Sequence, residues 1–258
     1  MSKLDDLRKR LRPLLNSIKI SLSPNRSSRG GAKPRMSVIH TTESGPGSLW
    51  GVVNYFHNAG IEVSSTYVVG DIERKDGWVD VVMCVPENEK PWTQKSANPY
   101  SVSYELVGRA ARSYTDWMNH KAQLRTVAAL VADDCLQYGY PARHGYPGIV
   151  GHRDLKSLGF PNDHTDPGEN FPWRYFIGLV RGFLNDKGKR PEPVKMNMNK
   201  RPRPAGIPRR IPAYAWKYRE WHLNGRKGKP PKHPKLPPWF WPWMQWSTGA
   251  GPHGRKLP

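Results

Sequence analysis

The sequence predicts an α/β fold: a mixed central β-sheet flanked by helices, with a basic N-terminal helix and a Pro/Trp-rich C-terminal tail. Three observations carry this. Charge is segregated: the first 35 of the 258 residues hold ten Lys/Arg against two Asp, and residues 187–258 hold eighteen against two Glu. The stretch between them is slightly acidic. Proline follows the same division, with 14 of 26 lying beyond residue 186. The middle segment alternates β-branched runs with stripes at helical spacing, the pattern of a layered α/β domain. The chain therefore divides into a basic extension and linker (1–34), a fold-bearing domain (35–186) and a basic tail (187–258), and the domain has an ordinary single-domain size.

Leu4, Leu7, Leu11, Leu14, Leu15 and Ile18 recur at three- and four-residue spacing. They predict an amphipathic helix over 3–20, interrupted near Pro13, which either docks on the core or binds a surface. Residues 21–34, rich in Ser, Gly, Pro and Arg, read as a linker. Strands are predicted at 36–41, 64–70, 79–85, 101–107 and 148–152, where Val, Ile and Tyr concentrate. Helices are predicted at 50–58, after a cap at Thr115, and at 173–184. In the second of these, Leu124, Val127, Ala128, Val131 and Cys135 form a stripe ending before Gly139.

Composition excludes several classes. No apolar run approaches the roughly 20 residues that span a bilayer. No apolar core of a Sec-type signal peptide follows the first basic residues, so synthesis in a cytoplasm is expected. Two cysteines, Cys84 and Cys135, are too few for a disulfide framework or a thiolate metal cage.

Three segments offer metal ligands. His40 ends the strand in Val38–Glu43, His152 ends the strand in Val150–Asp154, and a polar loop offers His164 and Asp166. A catalytic zinc takes three N/O ligands and keeps one position open, and strand ends hold side chains rigidly beside open space. Spacing alone does not choose among nine histidines. Glu105 lies inside an apolar strand, where an unpaired carboxylate is costly to bury, so it is paired or functional.

The blocks VIHTTE (38–43), SSTYVVG (64–70), PW (91–92), NPYSVSYELVG (98–108) and GHRDL…DHTDPGENFPW (151–173) resemble the type 2 N-acetylmuramoyl-L-alanine amidases. That family includes T7-type phage lysozymes, bacterial anhydro-muramyl-peptide amidases and animal peptidoglycan recognition proteins. The blocks keep the family's order and spacing over about 150 residues. The resemblance implies the amidase type 2 fold, one Zn2+ held by His40, His152 and Asp166, and cleavage of the bond between N-acetylmuramic acid and L-alanine. It makes Glu105 the residue that takes the water's proton and His164 the one that stabilises the oxyanion. Arg153 and Asp154 are expected to anchor the ligand loop, and Trp92, Asn98 and Tyr100 to line the glycan-peptide groove. The chain departs from the family at Thr66 and Thr93, where many members have His, and at Ser65, where T7-type lysozymes have Tyr. Tyr67 is expected to point elsewhere.

The tail repeats at a period of 25: residues 211–221 and 236–246 share apolar-Pro-x-aromatic-x-Trp-x-aromatic-x-x-Trp, and hold six of the eleven Trp. Rings among Lys and Arg suit an anionic wall polymer or a membrane surface; a structural appendage is the other reading. Peptidoglycan is the expected partner. A phage endolysin, made in the host cytoplasm and acting at the wall after release, is the favoured reading. A non-catalytic peptidoglycan-binding module and a basic nucleic-acid-binding protein are the alternatives; motif spacing disfavours the second.

Overall fold

The computed structural model describes residues 2–185 together with Tyr214, Ala215, Lys217 and Phe240. The chain forms two compact units, residues 1–112 with 116–194, and residues 195–258 with 113–115.

The first helix, α1 (Lys3–Leu15), begins at Ser2, whose hydroxyl accepts from the Asp5 N–H while the Asp5 carboxylate accepts from the Ser2 N–H. It runs through Pro13 without breaking. Only one backbone bond is forfeited there, and Leu11 and Leu14 on either side are buried. Strand β1 (Lys19–Ile20) follows, then β2 (Arg26–Ser28).

The stretch 21–34, expected as a linker, is instead bound down. Asn25 is buried and donates from its side-chain amide to the carbonyls of Phe56, Asn58 and Val63. Arg29 is also buried and donates to the carbonyls of Glu87, Asn98, Pro99 and Ser101. A polar composition does not mark a free segment when its side chains satisfy main-chain acceptors.

Strand β3 (Met36–Thr41) is buried throughout, and α2 (Leu49–Phe56), β4 (Tyr67–Glu73), β5 (Val79–Met83) and β6 (Glu89–Pro91) follow. The chain continues through β7 (Ser101–Leu106), α3 (Tyr114–Asn119), α4 (Lys121–Tyr138), β8 (Gly148–Gly151) and α5 (Trp173–Asn185). Thr115, expected to cap the long helix, lies inside α3, and α4 starts after His120.

Six strands form one mixed sheet in the order β1-β5-β4-β7-β3-β8, and β2 pairs with β6 separately. Strand β3 is parallel to both neighbours, β7 and β8, whereas β4 and β5 are antiparallel.

Alternation divides the sheet's faces. Ile39, Val102, Tyr104, Leu106, Val69 and Val81 face a layer built from α1, α4 and α5. Nearly every residue from Gln123 to Cys135 is buried, because α4 is covered by α1 and α5 as well as by the sheet. Leu7, Leu11 and Leu14 pack into this layer, which resolves the N-terminal helix as a docked element. The opposite face has two smaller clusters. One joins Leu49, Val53 and Phe56 of α2 to Val68, Val82 and Cys84; the other joins Met36, Val38, Ala97, Val150 and Leu155. His40 and Glu105 share this second face. Both cysteines are buried and unpaired, and burial pushes each thiol up to about 12.

In the second unit, Tyr214 and Phe240, one ring from each sequence repeat, stack with centroids 6.4 Å apart, and Ala215 and Phe240 are fully buried. Apart from Lys217, the rest of both repeats lies outside the described residues. Among the described residues no helix is long and apolar enough to cross a membrane.

Candidate metal centre

Parallel pairing brings the candidate ligands together. His40 is the penultimate residue of β3 and lies in register with Glu105 of β7. Gly151 of β8 pairs with Ile39, so the next residue, His152, emerges beside His40 at the same end of the sheet. The two imidazole centroids are 4.4 Å apart. Asp166 arrives from the loop before α5. Its Oδ2 is 3.2 Å from His40 Nδ1 and its Oδ1 is 3.2 Å from His152 Nδ1.

The three groups are buried, and one ligand atom from each falls within a 4.8 Å cluster. Bonds of about 2.0–2.1 Å in a tetrahedral zinc site separate ligand atoms by roughly 3.4 Å. Each imidazole Nδ1 here lies 3.2 Å from one oxygen of Asp166, and two imidazoles with one carboxylate are a donor set that zinc accepts. His40, His152 and Asp166 thus form a cluster able to hold a metal ion.

Main-chain bonds fix the loop. The Thr41 N–H donates to Asp166 Oδ2 at 3.3 Å, and the Arg153 N–H donates to the Asp166 carbonyl at 2.9 Å. Arg153 thus holds the loop through its backbone, while its side chain is exposed. Asp154 Oδ2 accepts from the Gly151 N–H at 2.8 Å and lies 2.9 Å from His144 Nε2, whose ring stacks on Trp173. This bracket holds the turn that carries His152.

Burial and the neighbouring His152 push His40 down to about 4. Burial alone would raise Asp166, but hydrogen bonds from His152 and His40 outweigh it and hold the carboxyl well below the usual carboxylate range. Glu105 moves the other way, up to about 8, through burial first and then the charges of Asp166 and Glu43. Its Oε1 is 3.9 Å from His40 Nδ1, and its buried Oε2 has no hydrogen-bond partner.

His164 stacks on His152 at 4.1 Å, with its side chain 57% exposed, and places Nδ1 3.6 Å from Asp166 Oδ1. It borders an open cavity of about 320 Å³ lined by Glu43, Asp163, His164, Thr165 and Asp166.

The expected groove residues fare differently. Tyr100 precedes β7, as Arg35 precedes β3, and the Arg35 guanidinium lies 5.9 Å from its ring. Five residues of strand, about 16 Å, separate it from Glu105, so it belongs to the opposite end of the sheet. Asn98 is buried, and its side-chain oxygen accepts from the N–H groups of Thr93 (3.1 Å) and Gln94 (2.6 Å). It shapes a turn rather than facing a ligand. Trp92 is half-buried and donates its indole N–H to Ser27 Oγ.

Ser65, Thr66 and Thr93 surround Ser103 in a hydroxyl cluster. Tyr67 turns to the other face, stacks on Tyr104 and donates to Glu87 Oε1 at 2.7 Å.

Two residues near the site escaped the sequence reading. Glu43 lies within the VIHTTE block, but nothing local marked its positive φ of 51° or its acceptance from Thr41 Oγ1 and the Ala110 N–H. Gln94 lies in a polar loop with no periodicity, yet its Nε2 is 3.0 Å from His40 Nε2.

A mixed sheet that brings two histidines and a carboxylate together at one end is a scaffold able to hold a metal ion. The family of N-acetylmuramoyl-L-alanine amidases matches residues 30–169, more than half of the chain, and the chain belongs to that family. It is 29% identical over 154 residues to N-acetylmuramoyl-L-alanine amidase A of Achromobacter lyticus, an alignment covering 56% of this chain and 82% of that one. It is 30% identical over 115 residues to the 1,6-anhydro-N-acetylmuramyl-L-alanine amidase AmpD of Citrobacter freundii, covering 42% and 54%. The hydrolase AmiA of Staphylococcus aureus, crystallised with its ligand, shares the fold at a TM-score of 0.51 and 18% identity, over 71% of this chain and 91% of that one.

Proposed function

We propose that this chain is a zinc-dependent N-acetylmuramoyl-L-alanine amidase that cuts the amide between the lactyl group of N-acetylmuramic acid and L-alanine in peptidoglycan, and that it serves a phage as an endolysin. The observation that carries the catalytic reading is the buried cluster of His40, His152 and Asp166 with Glu105 in register beside His40.

These three residues would hold the ion, which when bound polarises a carbonyl and lowers the pKa of a water. Glu105 takes the proton of the attacking water at a carboxylate oxygen. It lies beside His40 with its buried Oε2 unpartnered, so a carboxylate oxygen is open to accept that proton. It then returns the proton to the departing amine nitrogen of L-alanine. His164, exposed at the cavity rim and fixed by stacking on His152, donates toward the oxygen that gains charge. The lysin role, with synthesis in the host cytoplasm and action at the wall after release, is supported by the excess of basic residues and the six Trp of residues 187–258, which suit an anionic wall polymer or membrane.

The test is release of L-alanine amino groups from purified peptidoglycan, with and without chelator. Release should require zinc and produce no new reducing ends. Glu105→Gln should lower kcat by about 100-fold or more while one zinc per chain is still bound. New reducing ends would move the cut to the glycan. Absence of bound zinc in the wild type would overturn the metal assignment.

A further inference from the structure

Gln94 is buried to 2% exposure, and its side-chain amide bridges two groups. Its Nε2 is 3.0 Å from Nε2 of His40, which is itself 1% exposed. Its Oε1 accepts from Ser101 Oγ at 3.1 Å. The backbone around it is pinned: Asn98 Oδ1 accepts the Gln94 N–H, and the Gln94 carbonyl accepts the Ala97 N–H. The amide is therefore delivered to the His40 ring by a fixed turn, on the side away from Asp166.

An imidazole has two nitrogens, and the bond made by one decides what the other can do. With the proton on Nδ1, His40 donates to Asp166, and Nε2 accepts from Gln94 Nε2. With Nδ1 serving as a metal ligand, the proton sits on Nε2 and needs an acceptor. A turned-over amide occupies the same space and supplies one. Oε1 then accepts the His40 Nε2–H, and Gln94 Nε2 donates to Ser101 Oγ. Ser101 can accept that bond because its own proton has another destination, the Ala97 carbonyl at 3.0 Å. The hydrogen bonds that tie the amide to His40 and to Ser101 are thus kept in both arrangements, as a buried site demands.

We propose that Gln94 is a positioning residue for the metal centre: its amide orients the His40 ring with Nδ1 toward Asp166 and receives the proton of Nε2 when Nδ1 binds the ion. This rests on the zinc reading above. An aliphatic residue of similar size would leave the Nε2–H buried without a partner and the ring free to turn.

The experiment measures zinc affinity of the full chain by competition with a chromophoric chelator, for wild type, Gln94→Leu and Gln94→Glu. Loss of such an outer hydrogen bond to a metal-ligating histidine typically weakens metal binding about 10- to 100-fold. Gln94→Leu should show that loss. Gln94→Glu, which keeps an acceptor facing Nε2, should bind within about threefold of wild type or tighter, completing a carboxylate–histidine pair of the kind found behind metal sites. The long-range ¹H–¹⁵N spectrum of zinc-loaded wild type should show His40 protonated on Nε2; this needs no variant to fold. Equal affinities for wild type and Gln94→Leu, a Gln94→Glu protein as weak as Gln94→Leu, or His40 protonated on Nδ1 in the loaded protein would each overturn the proposal. A wild type that binds no zinc would instead overturn the reading beneath it.

Discussion

Gly168→Ala is the substitution whose cost the structure defines most sharply. Gly168 has φ +89°, in the left-handed region, and an added Cβ would lie 1.9 Å from the Ala110 carbonyl oxygen. Real Cβ atoms essentially never approach a neighbour closer than 3.0 Å, so two stretches of backbone must part by at least 1 Å. The left-handed conformation costs an alanine about 1–2 kcal/mol. Forcing a methyl into packed backbone adds about 1–3 kcal/mol. A combined loss of about 2–5 kcal/mol lowers the melting temperature of a domain this size by roughly 4–20 °C. Gly139→Ala is the matched control: its φ is +76°, and nothing lies within 4 Å of the added carbon. It carries the conformational cost alone. Calorimetry on both variants isolates the contact, and chelator competition reads its effect on the site, because Asp166 lies two residues before Gly168. Zinc affinity should fall in Gly168→Ala and hold in Gly139→Ala. A Gly168→Ala protein that melts no lower than Gly139→Ala would refute the reasoning.

Two further outcomes follow from the helical layer. Leu11 of α1 is buried against the core, and Leu11→Ala should cost about 2–5 kcal/mol in denaturant unfolding; an unchanged midpoint would mean that α1 contributes nothing by docking. Asp134 of α4 is buried where its Oδ2 accepts from Ser37 Oγ at 2.9 Å and from Tyr104 OH at 2.7 Å, and burial raises its pKa well above the ordinary value. A carboxyl raised in the folded state stabilises fully below its unfolded value, near 3.9, and that contribution is lost as pH rises toward the folded value. Asp134→Asn keeps an acceptor and removes the titration. Its melting temperature relative to wild type should therefore rise between pH 5 and pH 8, and parallel profiles would contradict this.

The sequence disclosed the elements that carry periodicity. Strand β3 falls at the predicted residues, and β7, β8, α2 and α5 start or end within a residue or two. The short strands β1, β2 and β6 escaped because two or three residues reading KI, RSS or EKP have no period to detect. Their place depends on partners far along the chain. The same limit governs the site. His40 and His152 were recognisable as strand-end residues, but that they meet follows from β3 lying between β7 and β8, which no local pattern encodes. Motif resemblance supplied that link. Within the same motif block as Glu105, Tyr100 is carried to the other end of β7 by strand direction, and Asn98 spends its side-chain oxygen on the turn that holds Gln94. Gln94 left no sequence signal, since its importance lies in a hydrogen bond to a histidine 54 positions earlier.

Because β3 is bonded along both edges to parallel neighbours, the sheet clamps His40 in a lattice that cannot shift one residue without turning its alternate side chains to the wrong face. The rim of the cavity has no such constraint: Asp163, His164 and Thr165 come from a loop, and Glu43 from the turn after β3. The site therefore joins two mechanically different parts of the molecule: the sheet fixes His40, Glu105 and the start of the turn at His152, whereas Asp166 and His164 arrive on a loop that is tied down by its own hydrogen bonds.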